Sequence, residues 1–254
     1  MDKLLARLCM MKGNVALYYE PLNGGGGMEF NADLPLMAAS VIKVPVMIEA
    51  FRRFEEGSLD PNAIHVLRDE ERMPSCGCLN RLHAGLEVTM MDLVELMIIL
   101  SDNTATNILI DLLGIDNINN TLRSVGVENS TIRRKLFDRE GHLKGIENTV
   151  TARDMGRLLK LMYKGELISE TASAGMIDIL KAQRLNSKFP FFLKSRGIAV
   201  AHKTGEDDGI TNDVGIIYAE KPFVLCMLSN ETEVPAFEQL MQEMALKLSL
   251  SGRQ

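Results

Sequence analysis

Cysteine is scarce in this chain. The four present (Cys9, Cys76, Cys78 and Cys226) stand at irregular spacing, which excludes a disulfide or zinc framework. Cys76 and Cys78, with one residue between them, are poorly placed to bridge one another. His65, His83 and His142 lack metal-ligand spacing. No basic run offers a track for phosphates, and a net charge of −6 with a pI near 5.4 argues against a nucleic-acid partner. No uninterrupted apolar stretch approaches about 18 residues, so no membrane span is expected. The start, Met1-Asp2-Lys3-Leu4-Leu5-Ala6-Arg7-Leu8, sets charges among its apolar residues and lacks the continuous apolar core of a signal peptide. That leaves a cytoplasmic protein, or an exported one whose signal has been removed. Internal repeats and low-complexity linkers are missing as well.

What remains is an ordinary globular composition. With 46% hydrophobic and 24% charged residues over 254 positions, the chain can bury a substantial core, as one large domain or as two lobes sharing one. Residues 2–11 pattern as a short amphipathic helix. Val15, Leu17, Tyr18 and Tyr19 mark a strand over 14–22, Asn23 to Gly27 a turn, and Met28-Glu29-Phe30 the returning strand of a hairpin. From residue 40 to around residue 180 the signals are mostly helical. An apolar run extends from Ser40 to Phe54, and Thr89 with Asp92 opens another that Ser101-Asp102-Asn103 interrupts. A run from Thr104 is closed by Gly114, Thr151 with Asp154 caps a helix that stops at Gly165, and Ser169 opens one toward Lys181. Strands then follow at 197–202, 213–219 and 223–229, and Pro235 starts a closing helix. Strands at both ends with helices between predict one sheet assembled from both termini. The expected division is an α/β lobe of residues 1–35 and 185–254 and an inserted helical lobe of residues 36–184.

Ser40 and Lys43, three apart on a helix, share a face, so hydroxyl and amine can meet. A serine at a helix N-terminus also lies beside unpaired N–H groups that can stabilise an oxyanion. One Ser-x-x-Lys arises by chance about once in a chain this size. Ser101-Asp102-Asn103 at a helix break and Lys203-Thr204-Gly205 at the end of a predicted strand each arise in roughly one chain in twenty, so finding both is on the order of one in several hundred.

In this order the three strings resemble the signature of the penicillin-recognising serine hydrolases, and the chain is most similar to the class A β-lactamases. Gly209-Ile210-Thr211-Asn212-Asp213, the hairpin before Ser40 and the terminal helix extend the resemblance over nearly the whole chain. It implies an α/β (α+β) fold: an antiparallel five-stranded sheet flanked by helices, an inserted all-helical lobe, and the site between them. It also implies Ser40 as the acylated nucleophile, Lys43 as the group assisting its deprotonation, and Ser101 as a proton relay to the leaving nitrogen. Asn103 would orient the substrate amide and Lys43. Lys203 would supply positive potential for a substrate carboxylate and for Ser101, and Thr204 would hydrogen-bond that carboxylate. Past Gly205, the N–H of Glu206 would join that of Ser40 in an oxyanion hole. A lysine crowded by a second cation is easier to keep neutral, which suits Lys43 as a base near Lys203.

Two departures stand out. Class A β-lactamases carry a Glu, with Asn four residues later, holding the water that cleaves the acyl-enzyme; no such string occurs between Thr131 and Thr149. Asp138 falls nearest the expected position and is the favoured replacement base, with Glu140 and Glu147 as alternatives. Its shorter side chain would sit about one carbon–carbon bond further from the ester, so acylation is expected and fast deacylation is not. Thr211 stands where many relatives place an arginine, after Glu206, Asp207 and Asp208. Those three acids would weaken attraction for a carboxylate unless the turn is simply solvated, which is the favoured expectation. His202 alternates with Lys203 and should face the other side of the strand as a structural residue. Cys76 and Cys78, in a loop resembling one that borders the class A cleft, are expected as a buried pair of thiols. The expected activity is β-lactam opening on a small-molecule substrate, with no cofactor, metal or membrane partner, by a monomer. The alternatives are a D,D-peptidase or a small-molecule esterase or amidase using the same site, and a non-catalytic ligand-binding relative.

Overall fold

Phe223, Leu225 and Met227 pack into one apolar cluster and the intervening Val224, Cys226 and Leu228 into another, and all six are buried. A strand that reads this way must be covered on both faces. The computed structural model describes residues 2–251 and supplies that cover. Its elements run α1 (Asp2–Cys9), β1 (Asn14–Pro21), β2 (Met28–Phe30), β3 (Leu36–Met37), α2 (Lys43–Glu55), β4 (Ile64–Val66), β5 (Glu87–Thr89), α3 (Met90–Ile99), α4 (Asn103–Leu113) and α5 (Ile115–Ser124). They continue α6 (Arg139–Leu143), β6 (Thr149–Val150), α7 (Ala152–Tyr163), α8 (Glu170–Lys181), β7 (Val200–Asp207), β8 (Ile210–Ile217), β9 (Phe223–Asn230) and α9 (Val234–Leu250).

Five strands form an antiparallel sheet in the order β2-β1-β9-β8-β7, the architecture the resemblance implied. On one face Leu8 of α1 and Phe237, Leu240, Met241 and Met244 of α9 pack on Val15, Leu17 and Phe223. On the other, Ala16, Val214 and Ile216 join a larger cluster with Val46 of α2, Met97 of α3, Leu109 of α4 and Leu158 of α7. The helix starts follow their caps. Thr89 Oγ1 accepts from Asp92 N at 3.0 Å while Asp92 accepts from Thr89 N at 2.8 Å. Thr151 and Ser169 cap α7 and α8 by their hydroxyls alone, accepting from Asp154 N at 3.1 Å and Ala172 N at 3.0 Å.

The sequence reading ended the first of the three late strands at His202, but β7 continues to Asp207, so Lys203-Thr204-Gly205 lies inside it. The polar residues after His202 hide the strand, which ends only at the Asp208-Gly209 turn, where Gly209 takes φ +67°. α5 was not anticipated either: Asn117, Asn119, Asn120 and Thr121 are weak helix formers, and burial of Ile118 and Leu122 overrides them. The short pairs β3–β6 and β4–β5 are too brief to show alternation.

α2 and α5 are joined through Glu49, whose buried carboxylate accepts from Arg52 Nε at 2.7 Å, Arg53 Nε at 2.9 Å and Thr121 Oγ1 at 2.6 Å. Burial alone would raise this carboxyl, but the hydrogen bonds from Arg52, Thr121 and Arg53 outweigh it and hold it below its ordinary value of 4.5. Glu49→Gln is expected to cost about 2–3 kcal/mol at neutral pH, less than a fully buried pair, because both arginines keep some contact with water. A depressed folded-state value means that the stabilisation is complete above the unfolded-state value and is lost as pH falls through the folded one. The variant's deficit should therefore narrow in acid. Denaturant unfolding at about pH 7 and about pH 3.5 checks this, and a deficit unchanged between them would mean that the carboxylate charge is not its source.

Candidate active site

One turn of 3-10 helix, Ala39–Ile42, precedes α2 and is entered through Ala39 at φ +44°. Side chains three apart nearly eclipse in such a turn, so Ser40 stands over Lys43, the first residue of α2. Lys43 Nζ lies 2.8 Å from Ser40 Oγ. The break between α3 and α4 supplies its other neighbours. There Ser101 takes φ +54°, and Asp102 caps α4 by accepting from Ala105 N at 3.0 Å. Lys43 Nζ donates to the Ser101 carbonyl at 2.8 Å and to Asn103 Oδ1 at 2.9 Å, and lies 2.9 Å from Ser101 Oγ. Asn103 Nδ2 donates to the Pro74 carbonyl at 3.0 Å, which fixes the amide with its oxygen toward Lys43. From β7, Lys203 Nζ donates to the Thr204 carbonyl at 2.8 Å and lies 3.1 Å from Ser101 Oγ. Ser101 Oγ thus stands between two buried amines.

Burial pushes the Lys43 amine well below the usual lysine range, and the charge on Lys203 pushes the same way. Burial also brings Lys203 down to about 7; Asp213 opposes the shift and Lys188 adds to it. Two neighbours of Lys43, the Ser101 carbonyl and Asn103 Oδ1, can only accept. A neutral amine meets both with its N–H bonds and keeps its lone pair for a hydroxyl proton. Such an arrangement can activate an alcohol as a nucleophile.

Gly205 lets β7 approach this turn: a Cβ there would come 2.9 Å from the Ala38 carbonyl oxygen and 3.2 Å from Ser40 N. Pairing of Asp207 with Ile210 closes a two-residue turn, and in an antiparallel ladder alternate residues then direct their N–H away from the partner strand. Glu206 is one of these. Its N–H points from the free edge of β7, where the strand meets the Ser40 turn.

A cavity of about 450 Å³ opens beside Ser40, lined also by Cys76, Asn103, Leu136, Phe137 and Asp138. The expected buried pair of thiols is not found: Cys76 is exposed and Cys78 half-buried. Asp102 Oδ2 accepts from Cys78 N at 2.7 Å and Leu79 N at 2.9 Å, and Gly77, at φ +108°, packs directly on Asp102. That grip turns Cys76 outward. Asp102 is thereby occupied as a cap and a loop anchor.

The loop between Thr131 and Thr149 forms the opposite wall. Asn107 clamps its middle, accepting from Leu136 N and donating to the Leu136 carbonyl, both at 2.9 Å. Asn148 clamps its base, accepting from Arg133 N at 2.8 Å and donating to the Arg134 carbonyl at 3.0 Å. Asp138 lines the cavity, with Oδ1 accepting from Gly141 N at 3.0 Å as the cap of α6. Glu147 lines it too, accepting from Arg134 Nη2 at 2.6 Å with His142 Nδ1 2.5 Å from its other oxygen. Glu140 is not brought to Ser40: it lies on the outer side of α6, its side chain 80% exposed and paired with Lys144 one turn away.

On the reverse face of β7, His202 Nδ1 lies 2.9 Å from Asp213 Oδ1, both residues wholly buried. The Glu206 carboxylate accepts from the buried Lys188 at 2.5 Å, and Lys188 also lies 3.6 Å from Glu238, which accepts from Thr211 Oγ1 at 2.9 Å. Glu206, Asp207 and Asp208 are all exposed, as expected of a solvated turn, and Glu206 is in addition paired with Lys188. Sequence reasoning missed Lys188, Asn107 and Asn148. The available signals were a cation beside the apolar Phe189-Pro190-Phe191-Phe192 and an amide within the apolar run from Thr104 to Leu113. Among the described residues, no group of three or more His, Cys, Asp or Glu side chains could hold a metal ion, and no helix is long and apolar enough to cross a membrane.

Comparison with known proteins gives a consistent picture. The model of the beta-lactamase enzyme family matches residues 2–249. A β-lactamase from Sphaerobacter thermophilus DSM 20745 superposes with a TM-score of 0.92 at 30% identity, covering 98% of this chain and 95% of that one. A PBP-A variant in an acyl-enzyme complex with penicillin G superposes with a TM-score of 0.89 at 25% identity, covering 99% and 95%. A β-lactamase of Citrobacter koseri is 27% identical over 150 residues, 58% of this chain and 51% of that protein, so the chain spans about half the length of that relative. By the match over almost its entire length, the chain belongs to the beta-lactamase enzyme family.

Proposed function

We propose that the protein opens β-lactam amides through an acyl-Ser40 intermediate that it releases slowly. The observation that carries this is the contact of Lys43 Nζ with Ser40 Oγ in a setting where burial and the charge on Lys203 favour the neutral amine. Lys43 takes the Ser40 proton as Oγ attacks the carbonyl carbon, and the N–H groups of Ser40 and Glu206 hold the oxyanion. The proton then passes by way of Ser101 Oγ to the leaving nitrogen as the C–N bond breaks. Lys203 and Thr204 meet the substrate carboxylate, Asn103 orients the amide, and Gly205 leaves room for both. The PBP-A variant captured as an acyl-enzyme with penicillin G supports the choice of substrate.

Release requires a carboxylate to activate water on the loop side. Asp138 has committed one oxygen to the α6 cap, and Glu147 is held by Arg134 and His142. Asp138 is the base in this mechanism, working with the remaining oxygen, and turnover is correspondingly slow. The same engaged carboxylates favour a second reading, in which the site acts on esters or peptides and β-lactams only block it.

Incubation with penicillin G, followed by mass spectrometry, is expected to show one covalent adduct that Ser40→Ala abolishes. No adduct and no turnover would end the β-lactam reading. A stable adduct together with p-nitrophenyl ester hydrolysis that Ser40→Ala abolishes would favour the second. Asp138→Asn keeps the cap, because asparagine serves there as well, and removes the base. It should leave acylation and thermal stability unchanged while lengthening the adduct lifetime by about 100-fold. An unaltered lifetime would remove Asp138 from the mechanism.

The pH dependence follows from Lys203. A lysine is charged below its pKa, so acylation by a carboxylate-bearing β-lactam should decline as pH rises through about 7. Lys203→Arg keeps the charge at higher pH and should move that limb upward, whatever it does to the maximal rate. Stopped-flow acylation rates across the pH range measure this, and a limb that stays in place would assign it to another group.

A further inference from the structure

We infer that Phe137 is the contact for an aromatic acyl side chain, so that the preferred substrates are those whose acyl group carries a ring; this rests on the acyl-Ser40 reading. Phe137 lines the Ser40 cavity, remains 50% exposed, and holds φ +62°. The left-handed region disfavours a bulky side chain, and such a conformation persists only where neighbours over-determine it. They do so here. Leu136 immediately before is clamped at both its N–H and its carbonyl by Asn107, and Asp138 immediately after is fixed as the cap of α6. The chain cannot turn the ring inward without breaking one of these. A strained, half-exposed aromatic beside a nucleophile therefore has no account in the packing of the core.

Position says which part of a substrate it meets. Ser101 Oγ, which serves the leaving nitrogen in the proposed mechanism, lies 3.1 Å from Lys203 Nζ, so these two mark the leaving-group side. The acyl portion then extends toward the wall built from Asn103, Leu136 and Phe137, all of which line the cavity. Leu136 and Phe137 give that wall an apolar surface against which a ring can stack, with favourable edge or face contacts for an aromatic partner.

Penicillin G and the analogue bearing acetyl in place of phenylacetyl differ only in that ring-carrying group. Second-order acylation rates for Phe137→Ala should fall about tenfold for penicillin G and change less than about twofold for the acetyl analogue. Phe137→Tyr should restore the preference. Phe137→Gly, for which φ +62° is unstrained, should lose it while keeping thermal stability at or above that of the parent. Equal effects on both penicillins, or no effect on either, would overturn the proposal. If the parent protein reacts with neither penicillin, the β-lactam reading falls separately. The same ratio is then read with p-nitrophenyl phenylacetate and p-nitrophenyl acetate, where a preference removed by Phe137→Ala supports the assignment and its absence refutes it.

Discussion

An amine without access to water, held by oxygens from separate parts of the chain, constrains everything around it. Lys43 cannot be buried as an unpaired ammonium, because desolvation would cost several kcal/mol. Serine and asparagine oxygens from the α3–α4 break surround it, and the charge on Lys203 favours its neutral form. Bringing those groups together forces Ala39 and Ser101 into left-handed backbone, each at a cost on the order of 1–3 kcal/mol. The surrounding core holds them there: Val41, Ile42 and Val44 are all buried. Strain at the two positions is thus offset by packing several residues away.

The two faces of β7 divide the work. Toward Ser40 the strand offers Lys203 and the bare backbone of Gly205. Behind it lies a polar layer in which His202 meets Asp213, Lys188 meets Glu206 and Glu238, and Phe189 N donates to Asp213 at 3.1 Å. Glu206 carries the layer out to solvent, while His202, Asp213 and Lys188 are wholly buried with partners. A buried, partnered network rigidifies the element it supports. It also changes the electrostatics expected from composition. The Glu206-Asp207-Asp208 turn reads as a block of negative charge, but Lys188 neutralises its first member from within the protein. Thr211 bonds to Glu238 and leaves the cavity altogether.

Legibility in the sequence followed interaction range. The sheet, the capped helices α3, α7 and α8, and the Ser40–Lys43 pair depend on local periodicity or on spacings of three residues, and these could be read directly. Lys203 and Ser101 were placed near Ser40 through the resemblance, since nothing local brings residues about a hundred positions apart together. α5 was hidden because its asparagines obscure a narrow apolar stripe. The thiols were misjudged because their exposure is decided by Asp102, 24 positions away from Cys78. Glu140 could be separated from Asp138 only once α6 fixed which way each points, since two residues along a helix differ by more than half a turn.

The loop between Thr131 and Thr149 is held in place differently from the cluster around Ser40. Ser40, Lys43, Ser101 and Lys203 stand on helices and a strand, or at their joints, where the core sets their positions. The loop is positioned by side-chain amides instead, with Asn107 at Leu136 and Asn148 at Arg133 and Arg134, while the backbone carbonyl of Asn148 accepts from Ala38 N next to the Ser40 turn at 2.9 Å. Those amides grip main-chain atoms and are indifferent to which side chain the loop presents. A change of residue at Leu136, Phe137 or Asp138 can therefore alter what faces an acyl group without moving the backbone. In the proposed mechanism, attack on the substrate is consequently a property of the core, whereas the lifetime of the acyl-enzyme and the preference for its side chain belong to three consecutive residues of one loop.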